Sequence, residues 1–291
     1  MARTDKYTIK DLKRDFPNDD AVLDLIFTTL HSSDCSCGGT YKRIKGRKQY
    51  QCSKCRYQIA PTAGTIFHKS ATPLTDWLHA IWVFSNAKSG LSAKELERQL
   101  GVTYKCAWRM LKNIRSALAQ SSDKLSGDVE MDTGYFGGKG NAGKDNVGLG
   151  KVMKNKGVVM AVVERGGAIK AEVVEDSTAL THGEFLERNI EHGSRLLTDS
   201  TKVLNLVSSN YNREKVNHSK KEWARGDVYI ANVERFFGHA KRSIKGTHKA
   251  ISRKYLQSYL DGFVFHYNNR HSDTERFSAL LGIVLRPAEG L

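Results

Sequence analysis

No apolar run in the 291-residue sequence approaches the roughly 18 residues that a membrane-spanning helix needs. The opening residues, Met1-Ala2-Arg3-Thr4-Asp5, lack the apolar core of a secretory signal, so the expectation is a soluble, cytoplasmic protein with no membrane partner. Proline is scarce, at four residues, and 40% of the chain is hydrophobic, which argues against extended disorder. Cysteine is also scarce and odd in number: there are five, four of them between residues 35 and 55. That excludes a secreted disulfide framework and leaves metal binding or free thiols. Acidic residues are outnumbered, 31 against 46 basic ones, for a net charge of +15. The excess is spread along the whole length, which favours nucleic acid as partner over a membrane-surface patch.

What is present divides into three stretches. Residues 1–70 read as a helical lead-in, broken at Pro17, followed by a zinc-ribbon-like segment. Cys52-x-x-Cys55 has the spacing of a zinc knuckle, while Cys35-x-Cys37 is one residue tighter, so His31 and Asp34 stand as alternative ligands. A short ribbon with alternating basic residues separates the two pairs.

Residues 71–122 carry a helix-turn-helix pattern. One helix starts at Thr72-Pro73, with threonine as N-cap, and runs past Trp77 and Ile81 to Ser89-Gly90. The motif itself is Leu91 to Leu100, the turn Gly101-Val102-Thr103, and a helix to Leu118. Leu96, Leu100, Ala107, Leu111, Ile114 and Leu118 share one side, leaving Tyr104, Lys105, Arg109, Lys112 and Arg115 for the other. Thr103, Tyr104, Lys105 and Arg109, near the start of the second helix, are the candidates for base edges and phosphates.

Residues 123–291 alternate strands and helices, an α/β pattern. Strands are expected over 128–136, 158–164 and 169–175, with the last two joined by Gly166-Gly167. Residues 137–157, rich in Gly, Lys and Asn, read as a basic loop. A helix over 178–192 leads to a short strand ending at Asp199. Helices over 229–244 and 255–267 follow, the second read as the last helix of the chain. Three carboxylates stand out. Asp132 and Asp199 sit at strand ends, where Asp is normally depleted. Glu234 opens a helix that carries Lys241 seven positions later, on nearly the same face. Acids delivered from two strands and one helix, in a basic chain, are what metal-dependent chemistry on nucleic-acid phosphates requires. Turn residues and a solvated helix acid would leave the same spacing.

These residues resemble bacterial insertion-sequence transposases of the DDE type with an N-terminal zinc ribbon, the insertion-sequence family fifteen ninety-five. The blocks that carry the likeness include Thr62 to His68, Ala107 to Leu111, Val129 to Asp132 with Tyr135 and Gly137-Gly138, and Thr198-Asp199. Val216 to Ser219, Asn232-x-Glu234, Lys241-Arg242, Gly246-Thr247-His248 and Asn268-Asn269-Arg270 complete it. The resemblance implies an RNase H-like mixed-sheet catalytic domain behind the zinc ribbon and the helix-turn-helix. It implies that Asp132, Asp199 and Glu234 bind Mg²⁺ or Mn²⁺, and that Lys241 contacts DNA, with Arg242 and Lys245 beside it. Cys35, Cys37, Cys52 and Cys55 would hold Zn²⁺. The partners would be double-stranded DNA, as element terminal repeats and target, and a second copy of the chain in the synaptic complex near the nucleoid. Asp132, rather than Glu130, stands at the family's offset from Tyr135. After this Asp the family carries Glu-Thr, where this chain has Thr133-Gly134. A non-catalytic helix-turn-helix regulator, or an inactive transposase copy, would share every DNA-binding feature.

Overall fold

The computed structural model describes residues 6–118, 120–137 and 156–286. Most of the expected basic loop, residues 138–155, lies outside them. The fold is mixed α/β and divides into two compact units, residues 1–118 with 269–291, and residues 119–268.

The first unit begins with helices α1 (Ile9–Asp15) and α2 (Asp19–Leu30), separated at Pro17 as the sequence suggested. Asn18 caps α2 by accepting from the Ala21 amide at 3.0 Å. A three-stranded antiparallel ribbon follows: β1 (Tyr41–Arg43), β2 (Tyr50–Cys52) and β3 (Gln58–Ile59). Phe27 of α2 stacks on Tyr50 of β2, ring centroids 3.9 Å apart, which fastens the lead-in helix to the ribbon.

Helix α3 (Leu74–Asn86) then opens one residue later than expected. Thr72 is not its cap, because the Thr72 hydroxyl lies 3.2 Å from the Cys106 sulfur. Asp19 does that work from 56 residues away, its carboxylate accepting from the Thr75 amide and hydroxyl, each at 3.0 Å. Helices α4 (Ala93–Leu100) and α5 (Tyr104–Ser116) form the helix-turn-helix, each with a side-chain cap: Ser92 accepts from the Glu95 amide and Thr103 from the Cys106 amide.

The second unit is a five-stranded mixed sheet covered on both faces. Its strands are β4 (Asp128–Phe136), β5 (Gly157–Glu164), β6 (Ile169–Val174), β7 (Arg195–Asp199) and β8 (Asn212–Val216), in the spatial order β6-β5-β4-β7-β8. The first three pair antiparallel and the last two join in parallel. Strand β5 is apolar almost throughout because both of its faces are buried. Val158, Met160 and Val162 pack toward α6 (Ala179–Asn189), whereas Val159, Ala161 and Val163 pack toward α7 (Ala231–Ser243) and α8 (Arg253–Asn268). Side-chain amides cover the exposed edge of β6. Asn268, Gln120 and Gln257 accept from the Ile169, Ala171 and Val173 amides.

Two elements depart from the expectation. Strand β8 is polar at four of its five positions, so alternation did not reveal it; its pairing with β7 defines it. Helix α8 is not the last. A further helix, α9 (Asp273–Val284), belongs with the first unit rather than with the sheet. Its Arg276 is fully buried and donates to the Ser85 carbonyl of α3, to the Asn269 carbonyl and to Asp273. Phe277 stacks on Tyr7 at 5.0 Å.

Candidate catalytic and metal-binding sites

The four clustered cysteines converge despite the tight first pair. Their sulfurs all lie within 4.8 Å of one another, with Cys35 to Cys55 at 3.7 Å and Cys37 to Cys52 at 3.4 Å. A tetrahedral zinc with arms of ~2.3 Å has sulfur–sulfur edges of about 3.8 Å, so the donor set fits that ion. His31 and Asp34 stand outside this quartet. Cys35-Ser36-Cys37 folds tightly because Gly39 has no side chain: a Cβ there would fall 2.7 Å from the Cys52 sulfur. The Cys37 amide and the Tyr41 hydroxyl pull the Cys35 thiol down to about 6, which favours the thiolate that a metal takes.

In the second unit, β4 and β7 lie side by side in parallel, Glu130 paired with Leu197. Continued by two residues, that register brings Asp132 level with Asp199, although Asp132 stands in the middle of β4, paired with Ala161 of β5, and not at a strand end as the sequence suggested. Burial, and then the charges of Asp199 and Glu234, push the Asp132 carboxyl up to about 6 against the opposing pull of the Thr133 amide and Lys241. Asp199, Glu234 and Lys241 thus all lie within electrostatic reach of Asp132.

Each is held in its own way. Asp132 accepts from the Thr133 amide at 2.7 Å. Asp199 accepts from the Thr201 amide and hydroxyl at 3.0 and 2.7 Å, in a turn that Arg213 of β8 braces by donating to the Asp199 and Thr201 carbonyls. Glu234, on the exposed face of α7, has His218 Nδ1 3.5 Å from its Oε1. Asp132 and Asp199 also line a cavity of about 210 Å³, together with Thr201 and the buried His182. The trio is more open than the cysteine quartet, since its oxygens do not all lie within 4.8 Å of one another. Hard carboxylate donors with one ammonium among them leave a surplus of negative charge, a set that suits a divalent Mg²⁺ or Mn²⁺.

Beside the acids lies a larger basic cavity of about 570 Å³, lined by Lys241, Lys245, Lys249 and Arg253. Lys241 projects over the Phe136 and Phe237 rings, 5.7 and 5.9 Å from their centroids. Arg242 is exposed but does not line this cavity.

On α5, Thr103, Tyr104, Lys105 and Lys112 are exposed, and Lys112 lies 5.9 Å from the centroid of the Trp108 ring. Arg109 is half-buried and donates to Ser70 at 3.0 Å, bolting the helix to the segment before α3. Arg115 corrects the sequence reading: it is 5% exposed and does not belong to the outward face. It follows buried Leu111 by four residues, so the helical repeat carries it inward.

Glu130, Asn232, Arg165, Arg213 and His218 carry no role in the sequence-based expectation, although Glu130, Asn232 and His218 stand within the blocks that bear the family likeness. Glu130 offered a signal, an acid two positions from Asp132 on the same strand and so on the same face.

Residues 124–268, nearly the whole of the second unit, match the ISXO2-like transposase domain. Through that domain the chain belongs to the ISXO2-like transposase family of insertion sequences. It is 24% identical over 238 residues to an uncharacterized protein in transposable element ISH50 of Halobacterium salinarum, covering 77% of this chain and 79% of that one. Among solved structures it resembles, at 12% identity and a TM-score of 0.27, a chain of a pre-cleavage Mos1 transpososome, covering 70% of this chain and 74% of the other.

Proposed function

We propose that the protein is an RNase H-like DDE transposase that binds the ends of an insertion sequence, cuts there, and joins the freed 3′-hydroxyl to target DNA. The observation that carries the reading is that Asp132 of β4 and Asp199 of β7 line one cavity, with Glu234 and Lys241 of α7 within electrostatic reach of Asp132. Membership of a transposase family and the mixed five-stranded sheet support it.

In this reading Asp132, Asp199 and Glu234 hold Mg²⁺ or Mn²⁺. When bound, such cations lower the pKa of an attacking hydroxyl and offset charge on the phosphate. Lys241 and the cavity that it shares with Lys245, Lys249 and Arg253 grip the DNA backbone beside the scissile phosphate, with Arg242 at the flank. Thr103, Tyr104, Lys105 and Lys112 of α5 contact the element end, and Arg109 is free to do so only in part, being tied to Ser70. Zn²⁺ in the cysteine quartet keeps the ribbon folded. Joining two ends calls for at least a dimer, acting on DNA in the cytoplasm at the nucleoid.

The test is strand cleavage and joining of labelled duplexes taken from the DNA flanking the coding sequence, in Mg²⁺ or Mn²⁺, with Glu234→Ala beside the unaltered protein. Metal-dependent product from the unaltered protein alone supports the reading. Tight, salt-sensitive binding with no product from either would leave a DNA-binding protein without catalysis.

A further inference from the structure

Strand β4 carries a second carboxylate on the face that meets α7, and nothing in the proposed chemistry uses it. Glu130 is fully buried. Its Oε2 accepts from the Asn232 and Val233 amides at 2.8 and 3.2 Å, and its Oε1 from the Asn232 side-chain amide at 2.9 Å. Arg165, in the turn between β5 and β6, donates to Oε1 at 3.0 Å. The same guanidinium donates to the Asp227 and Tyr229 carbonyls, each at 2.9 Å, and lies 3.8 Å from the Tyr229 ring centroid. The approach to α7 and its first turn are thus tied to one carboxylate on β4.

The chemistry of the helix explains why an acid sits there. Ile230, at the N-cap position, supplies no side-chain acceptor to the orphan amides of the first turn. A buried carboxylate from the neighbouring strand replaces it and sits favourably at the positive end of the helix dipole. Arg165 completes the pair, without which a buried charge would be costly.

The spacing turns this clamp into a ruler. Glu130 and Asp132 are two apart on one face of a strand. Asn232 and Glu234 are two apart in the first turn of a helix, where their side chains leave on different sides, so what the clamp fixes is the backbone that carries Glu234. The inner pair, Glu130 and Asn232, is bonded; of the outer pair, Asp132 is half-buried and Glu234 exposed. Glu234 has no strand to fix it and is 43% exposed, so the position of its backbone depends on how α7 is anchored. We infer that Glu130, locked by Arg165, is a positioning residue that sets Glu234 against Asp132 through the first turn of α7. The inference rests on the reading of Glu234 as a metal ligand. Groups that orient metal ligands commonly weaken binding by roughly 10–100-fold when altered.

The test is Mn²⁺ binding to the full-length protein, followed by electron paramagnetic resonance of the free ion well below the melting temperature, with hydrogen exchange of residues 231–234 alongside. Glu130→Gln keeps the shape but replaces one acceptor oxygen with a donor facing donors. It is expected to raise the Mn²⁺ Kd about tenfold and to speed exchange in the first turn of α7. Asn232→Ala keeps both backbone donors, so it is expected to weaken Mn²⁺ by a smaller factor, and it serves if Glu130→Gln does not fold. Both variants within twofold of the unaltered protein, while Glu234→Ala loses Mn²⁺, would overturn the inference and leave the proposed function standing. Unchanged Mn²⁺ binding in Glu234→Ala would remove the metal-ligand reading itself, and the inference with it. A lower melting temperature with unchanged Mn²⁺ affinity would make Glu130 structural only.

Discussion

Gly134 of β4 lies directly beneath Phe237 of α7, so close that a methyl group at position 134 would fall 2.7 Å from the ring. Glycine here lets the helix that carries Glu234 rest on the strand that carries Asp132. Phe136, two residues further on the same face, continues the contact with Phe237 at 6.0 Å.

The first prediction follows from that approach. Gly134→Ala, and more so Gly134→Thr, should destabilise the fold by about 1–3 kcal/mol, the usual cost of overpacking. Thr133 faces the other side of the strand, against His182 at 3.2 Å, and is half-buried. Thr133→Glu should therefore be better tolerated than Gly134→Thr. Chemical denaturation of the three variants checks the order, and equal costs would mean that α7 yields at this point.

The cysteine quartet gives the second. Cys52 is fully buried at the hub of the ribbon, with Cys37, Gly39 and the Lys54 amide all against its sulfur. Cys52→Ser should lose one equivalent of zinc per chain by elemental analysis. The ribbon should then become sensitive to proteolysis, since structural zinc commonly supplies its folding energy. The Mn²⁺ affinity of the acidic site should not change, as the two donor sets belong to different compact units. A zinc content unaltered by the substitution would count against the quartet as the site.

How much of this was legible in the sequence depends on where the information resides. Strand β5 appeared as an apolar run, because burial writes itself into composition, and the turn at Gly166 joined it to β6 as a hairpin. Strand β8 did not, since its residues read Asn-Arg-Glu-Lys-Val and only pairing makes them a strand. The three acids were visible as residues out of place in strands or at a helix start. The residues that hold them were not. Glu130 meets Asn232 across 102 residues and Asp19 meets Thr75 across 56, and no local pattern encodes such partners. Arg115 was misread because charge suggested an outward side chain where the helical repeat turned it inward.

That misreading yields the third prediction. Lys105→Ala and Lys112→Ala should weaken binding to element-end DNA, each lowering the slope of log affinity against log salt by about one, as loss of a phosphate contact does. Arg115→Ala should leave that slope unchanged and instead cost about 1–3 kcal/mol of stability. Salt titrations of binding and thermal melts separate the two effects. A reduced salt slope for Arg115→Ala would place its guanidinium on the DNA after all.

The pH dependence of Asp132 is the sharpest test of the acidic site. Its carboxyl stands at about 6 in the fold against an ordinary 3.8, raised by burial and then by Asp199 and Glu234. Below 3.8 the group is protonated both folded and unfolded, and it costs nothing. As the pH rises, the unfolded chain ionises first, so stability falls until the folded group also ionises near 6. Above that the loss is constant, at up to about 3 kcal/mol. Asp132→Asn removes the ionisation while keeping the shape. In a chelating buffer at about pH 7.5 it should be more stable than the unaltered protein, with the difference closing toward about pH 4. Added Mn²⁺ should reverse the order, because only the unaltered protein gains binding free energy. For the same reason its Mn²⁺ affinity should fall as the pH drops through about 6, where protons compete for the ligand. Denaturation curves across pH, with and without Mn²⁺, measure all three effects. If Asp132→Asn conferred no stability at neutral pH without metal, neither burial nor the charges of Asp199 and Glu234 would be acting on Asp132, and the site would lose its defining feature.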